Sequence, residues 1–163
     1  MKNKSKIIVS LIALFFLTMA ITCKDEDENH HRTIRFINNS DKSIYIIGSV
    51  DYPDTLSISG MSGGGLSDPT CNKVHPNTVN TCSLWDRDFW EINFKHEIFM
   101  PSDTLMVYVF DAELLESRTT HVRNTIIRRY DLSLQDLQYL NWTLTYPPSP
   151  KMSTIKMHPP YGQ

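Results

Sequence analysis

Three consecutive pieces of sequence decide the fold: Thr125-Ile126-Ile127-Arg128-Arg129-Tyr130-Asp131-Leu132, then Ser133-Leu134-Gln135-Asp136-Leu137-Gln138-Tyr139-Leu140, then Trp142-Thr143-Leu144-Thr145-Tyr146. The first is rich in β-branched and aromatic residues and reads as a strand. The second opens with Ser133 three residues before Asp136, a capping box, and Leu134, Leu137 and Leu140 recur at helical spacing. In the third, apolar Trp142, Leu144 and Tyr146 alternate with Thr143 and Thr145, the pattern of a half-buried strand, and Pro147-Pro148 stops it. This unit sets the scale of the domain: short strands joined by short helical connections.

Upstream, Asp103 to Phe110 carries Leu105, Met106, Val107, Tyr108, Val109 and Phe110 without alternation. A run apolar on both faces suits a central strand covered on both sides. Ala112 to Ser117 reads as a short helical turn. Ser83-Leu84-Trp85-Asp86 resembles another capping box, and Trp85, Phe89 and Ile92 follow at helical spacing, so an amphipathic helix is predicted over 86–95. Thr78 to Leu84 is a weaker strand. Asp51 to Asn77 holds Pro53, Gly60, Gly63-Gly64-Gly65, Pro69 and Pro76 and is predicted to be a long loop. Thr33 to Asn38 alternates, Asn39-Ser40-Asp41-Lys42 supplies turn residues, and Ser43 to Val50 is strand-like, so a β-hairpin is predicted there. Ser153 to Met157 adds a last edge strand before a Pro-rich C-terminal extension. The expected fold is mainly β: a β-sandwich with two or three short connecting helices. The unit at 125–146 resembles the E–F corner of an immunoglobulin-like sandwich, and a transthyretin-like sandwich fits the same pattern.

The N-terminus is a separate piece. Lys2, Lys4 and Lys6 precede Ile7 to Ile21, a run of 15 residues whose only polar members are Ser10 and Thr18. A membrane span needs about 20 residues, so the run fits the apolar region of a secretory signal. Ala20-Ile21-Thr22-Cys23 then resembles a bacterial lipobox. Ala20 stands where Leu is usual and Thr22 where Gly, Ala or Ser is usual, as in the looser lipoboxes of Bacteroidota. The resemblance implies acylation of Cys23 and a signal peptide over 1–22. Lys24-Asp25-Glu26-Asp27-Glu28 resembles the acidic lipoprotein export signal of Bacteroidota, which implies display on the cell surface; a solvated tether on the periplasmic face is the alternative. The expected organisation is a signal peptide at 1–22, a lipidated cysteine and acidic tether at 23–32, and one β-rich domain at 33–163.

Charge follows the same division. Three of the 16 Lys+Arg and none of the 18 Asp+Glu lie in the leader, so residues 23–163 carry 13 basic against 18 acidic side chains, a formal −5. Without Lys24 and the four acids of the tether, residues 29–163 hold 12 against 14, or −2. That body has no basic stripe and no expected nucleic-acid partner.

Candidate chemistry is sparse. With Cys23 acylated, Cys71 and Cys82 remain as an even pair in an oxidising compartment, and a disulfide between them is expected. The histidines lack ligand spacing, so no metal and no cofactor is expected. No G-x-S-x-G is present, and Gly60 to Gly65 lacks the Lys-Ser/Thr of a phosphate loop. Asp111, Glu113 and Glu116 follow the central strand and suit either a helix N-terminus or a hydrolase's carboxylate pair. Trp85 and Trp90, with Phe89, suit either core packing or a sugar-stacking platform. The expected protein is non-catalytic, its partners membrane lipid through Cys23 and a protein or glycan. Asp54-Thr55-Leu56 and Asp103-Thr104-Leu105 resemble the O-glycosylation motif of Bacteroidota, which implies glycosylation at Thr55 and Thr104.

The C-terminal third, Arg129 to Ser133 and Leu140 to Pro148, resembles a group of small uncharacterised Bacteroidota outer-membrane and surface lipoproteins. Asn38 to Lys42, Tyr52-Pro53-Asp54, Ile155-Lys156-Met157 and Pro159-Pro160-Tyr161 fit the same group. The resemblance implies a lipidated, β-rich envelope protein and brings no catalytic residues.

Overall fold

The structure, a computed structural model, describes residues 29–53 and 69–163. In chain order these form β1 (Arg35–Asn38), β2 (Ile44–Ser49), α1 (Pro69–Asn72), β3 (Lys73–Val74), β4 (Thr78–Asn80), α2 (Trp90–Asn93), β5 (Leu105–Asp111), α3 (Ala112–Ser117), β6 (Ile126–Leu132), α4 (Leu134–Tyr139), β7 (Thr143–Tyr146) and β8 (Lys156–His158). The fold is mainly β, with two sheets and four short helices against the two or three expected. One sheet has the order β4-β1-β7, the other β3-β2-β5-β6-β8. The β1–β7 pair is parallel, Phe36 opposite Leu144; the other pairs are antiparallel.

β5 is the middle strand of the larger sheet, and its two faces feed two apolar clusters. Leu105, Val107 and Val109 join Ile34 and Phe36 of the small sheet's side, Ile44, Ile46, Tyr130, Leu132 and Leu144 in the core between the sheets. Met106, Tyr108 and Phe110 point the other way and pack with Tyr45, Ile47 and Ala112, against which Leu115 of α3 and Val122 lie. The unalternating run therefore marks a layer covered on both sides. Each such side chain contributes about 1.5–3 kcal/mol when fully buried.

The 125–146 unit folds as its sequence indicates. Ser133 Oγ accepts from the Asp136 N–H at 3.2 Å and the Asp136 carboxylate accepts from the Ser133 N–H at 2.9 Å, closing the capping box of α4. The helix ends through Asn141 and Trp142, both at positive φ, and the Trp142 N–H returns to the Leu137 carbonyl at 2.9 Å.

Two expectations are overturned. β1 and β2 are not a hairpin, because they belong to different sheets. β1 is buried on alternate residues, whereas four successive residues of β2 are buried, so one strand has a solvent face and the other has none. The connecting residues turn the chain between layers around Asn38, which is fully buried. Its amide donates to the carbonyls of Lys42 (2.7 Å), Val74 (3.1 Å) and His75 (3.1 Å), and its Oδ1 accepts from the N–H and hydroxyl of Ser40. The helix expected over 86–95 shrinks to Trp90–Asn93, and the capping box at Ser83 does not form. Ser83 Oγ donates instead to the Cys71 carbonyl at 2.6 Å, and Asp86 Oδ1 accepts from the Asp88 N–H at 2.9 Å, a local turn that competes with helix.

The long loop contains α1 and β3 near its end, and the last edge strand lies at Lys156–His158, slightly later than expected. The Pro-rich C-terminal segment is held by buried Arg128, whose guanidinium donates to the carbonyls of Pro159, Pro160 and Gln163.

Candidate functional site

The best-developed site lies where the chain first reaches the body. His31 and Arg32, counted with the tether in the sequence, are docked. The Asp86 N–H donates to the Arg32 carbonyl at 2.9 Å, the Trp90 N–H donates to the His31 carbonyl at 2.8 Å, and Thr33 bridges Trp85. Residues 85–90 are thus fastened at both ends to 31–33, which takes up the Trp90 N–H that a helix over 86–95 would have used internally. Buried Glu91 accepts from the His31 N–H at 2.9 Å and sits 2.6 Å from His31 Nδ1, while the His31 ring stacks on Trp142 at 4.3 Å.

That pinned loop walls a groove of about 370 Å³ together with the end of β2. Trp85 stands on it 53% exposed, whereas Trp90 is only 6% exposed and forms its wall. Asp51 and Asp86 supply carboxylates and Ser49 a hydroxyl. A side-chain carbon at Gly48 would come within 3.2 Å of Leu84 Cδ2, so glycine keeps this part of the groove open. A second hollow of about 370 Å³ shares Val50, Asp86 and Trp90 with the first and adds Asp88 and Phe99, the latter 52% exposed. No lysine, arginine or histidine lines either hollow among the described residues. Among the described residues the Trp90 indole N–H is buried without a hydrogen-bond partner.

A cavity of about 330 Å³ gathers the carboxylates singled out as a hydrolase pair, Asp111, Glu113 and Glu116, with Lys42 and Lys73. Asp111, Glu116 and Lys73 are each engaged in holding the fold. Asp111 caps α3 by accepting from the Leu114 N–H at 3.0 Å. Glu116 Oε1 accepts from Lys73 Nζ at 2.5 Å and from the Tyr45 hydroxyl at 2.8 Å. The Lys73 ammonium, then the Tyr45 hydroxyl, hold the Glu116 carboxyl below the ordinary carboxylate range. A glycosidase acid needs the opposite shift. The Tyr45 phenol is pushed up to about 12, first by burial and then by Glu116.

Cys71 and Cys82 are joined by a disulfide, with Cα atoms 5.4 Å apart. Asn80 reinforces it: its amide donates to the Cys71 carbonyl at 2.6 Å and its Oδ1 accepts from the N–H groups of Cys82 and Ser83. Thr104 is half-buried just before β5. Cys23, Lys24, Asp25, Glu26, Asp27, Glu28 and Thr55 lie outside the described residues. No helix among the described residues is long and apolar enough to cross a membrane, and none of their His, Cys, Asp and Glu side chains group in threes suited to a metal ion.

The structure brings Trp85 and Trp90 to one groove and leaves Phe89 apart, beneath the Arg32 guanidinium and beside His30. Sequence reasoning missed Asp51 and Phe99. Phe99 had a signal, since Ile98-Phe99 sits just before Pro101 and outside any helical period.

No protein-family model matches the chain, and no curated protein or solved structure shows a match to it.

Proposed function

We propose that this is a lipid-anchored envelope protein of the Bacteroidota type, acylated at Cys23, exported by Lys24-Asp25-Glu26-Asp27-Glu28 and displayed on the outer membrane. Its role in this reading is non-catalytic binding of a protein or glycan partner. Its two sheets then belong to an immunoglobulin-like or transthyretin-like sandwich used as a scaffold.

One observation carries the binding role: Trp85 stands 53% exposed on a groove walled by Trp90. Position supports it. The groove's loop is fastened to His31 and Arg32, so the chain between Cys23 and His31 spans at most about 30 Å even when extended. The groove is thereby kept near the anchored lipid.

Three measurements test the reading. Growth with an alkyne fatty acid labels the wild-type chain and not Cys23→Ala, and antibody stains intact cells. A brief hydroxyl-radical pulse oxidises Trp85 less on intact cells than in the purified chain, because an occupant covers it. Equal oxidation in both settings removes the binding surface.

A further inference from the structure

We infer that the turn Lys95-His96-Glu97-Ile98-Phe99 seats in the surface of the lipid leaflet that holds the chain's own acyl anchor. The inference rests on acylation at Cys23 as proposed above and adds a second, non-covalent contact between the body and the lipid.

The turn is built to hold apolar side chains in the open. Phe94 and Met100, on either side of it, are buried in the core between the sheets, while all five residues between them are exposed. The N–H groups of Phe99 and Met100 both donate to the His96 carbonyl at 2.9 Å, which closes the turn, and the His96 and Phe99 rings meet edge-on at 5.5 Å. Ile98 is left at the tip 83% exposed, the most exposed large apolar side chain among the described residues. Of the eight exposed large apolar and aromatic side chains there, four fall within residues 85–99: Trp85, Ile92, Ile98 and Phe99. An aliphatic tip beside an aromatic ring and a lysine matches the boundary between headgroups and hydrocarbon. Apolar and aromatic side chains enter the acyl boundary there, and a lysine keeps its ammonium in water.

The route of the chain from its anchor says what covers the turn. The stretch from Cys23 to His31 reaches about 30 Å at most. It ends against the segment that leads into the turn: the His30 ring lies 4.8 Å from the Phe89 ring, and the His31 carbonyl accepts from the Trp90 N–H. Phe99 shares a hollow with Val50, Asp88 and Trp90, so the turn stands at the end by which the anchored chain enters the body. Lys42, Ser43 and Glu113 line the cavity at the opposite end of β2, about 20 Å away along the strand. The body therefore hangs from the lipid by the end that bears the turn. Contact with the leaflet is then intramolecular, and a short tether gives it a high effective concentration, so a pair of side chains suffices where a free protein needs a larger patch. Lys95 and Glu97 cancel in charge, so the seating calls for no anionic headgroup.

The test uses the full acylated chain in vesicles of equal phosphatidylcholine and phosphatidylethanolamine. Acylation blocks the Cys23 thiol and the disulfide occupies Cys71 and Cys82, so a nitroxide reacts only at an introduced cysteine. Glu97→Cys places the label in the turn, and Glu113→Cys places it at the far end of β2. Paramagnetic relaxation then compares collisions with oxygen, which concentrates in lipid, and with a water-soluble nickel chelate. The expected result is a label at 97 that meets oxygen more than the chelate and a label at 113 that meets the chelate more. Adding Ile98→Asp to Glu97→Cys raises the chelate collisions several-fold and leaves the urea midpoint unchanged, since a side chain this exposed supports little packing. The inference is overturned if the labels at 97 and 113 meet the two reagents alike, or if Ile98→Asp changes nothing. It is overturned too if labels at 97 broaden one another's spectra, which puts a second copy of the chain on the turn. The two readings fail separately. A chain that takes up no alkyne fatty acid loses its anchor and the proposed display; an acylated chain whose label at 97 stays in water keeps the anchor and loses only the seating.

Discussion

Two carboxylate-bearing cavities are nearly the same size, about 370 Å³ at Trp85 and about 330 Å³ at Glu116, and they differ in what their polar groups are doing. At Glu116 the carboxylate is held by Lys73 and Tyr45, and Asp111 is held by the first turn of α3. At Trp85 the Trp90 donor has no partner among the described residues and the Trp85 ring is half exposed. Volume alone does not make a site. A cavity whose carboxylates are engaged in holding the fold is a piece of structure, whereas a groove that bears a half-exposed aromatic ring has a surface left to offer.

The contrast breaks most severely if Trp90 is removed. It packs in the core between the sheets as well as walling the groove, so Trp90→Ala is expected to cost about 3–5 kcal/mol, measured as the shift in urea midpoint. A substitution as large at Glu116 has no such reach, since its side chain is about half exposed. Next comes the disulfide, which sits between the two regions. Cys71 lies two residues before Lys73 of the filled cavity, and Cys82 three before Trp85. Replacing both cysteines by serine frees a loop with a sequence separation of 11 and is expected to cost about 3 kcal/mol in the same measurement. The oxidised wild type unfolding at the midpoint of that variant would show that Asn80 alone holds the loop.

The sequence made strands and faces legible wherever pattern was local. The alternation from Trp142 to Tyr146 and the apolar run to Phe110 each state how many sides are covered, and Ser133 with Asp136 states where a helix begins. Pairing was not legible. Turn residues at 39–42 are compatible with a hairpin, and nothing local says that Asn38 will serve three carbonyls from two other segments. Ser83 and Asp86 have the spacing of a helix start, but their bonds go to Cys71 and Asp88 because residues 31–33 arrive from far away to occupy the loop's backbone. The groove depends on that long-range fastening. Trp85 and Trp90 were visible as candidates, while the donor left over at Trp90 is a property of the packed molecule only.

A smaller effect sharpens what that donor is for. Trp90→Phe keeps the ring in the core and deletes the N–H. It loses packing volume but relieves an unsatisfied group, so the net change is expected within about 1 kcal/mol of wild type. Destabilisation by Trp90→Phe comparable to Trp90→Ala would mean that the N–H already has a partner, and the two cavities would then be alike.

The smallest effect is at Glu116, and pH separates it from everything else. Its folded pKa is lowered by Lys73 and Tyr45, so the stability it contributes is present above its ordinary value of 4.5 and is lost as pH falls through the lowered one. Glu116→Gln lacks this contribution at every pH. The gap between the urea midpoints of the two chains is therefore widest near neutrality and closes in acid. Exposure and salt keep it below about 1 kcal/mol, as for other surface pairs. The alkaline side behaves differently. Tyr45 is kept neutral up to about 12 chiefly by burial, with Glu116 a lesser cause. Its stabilising effect is complete below about pH 10 and fades above it, and most of that fading survives in Glu116→Gln. A gap that stays constant from neutrality into acid would show a carboxylate not committed to Lys73 and Tyr45. The Glu116 cavity would then hold an uncommitted acid as the Trp85 groove holds an uncommitted donor, and a hydrolytic reading of Asp111 and Glu116 would regain its footing.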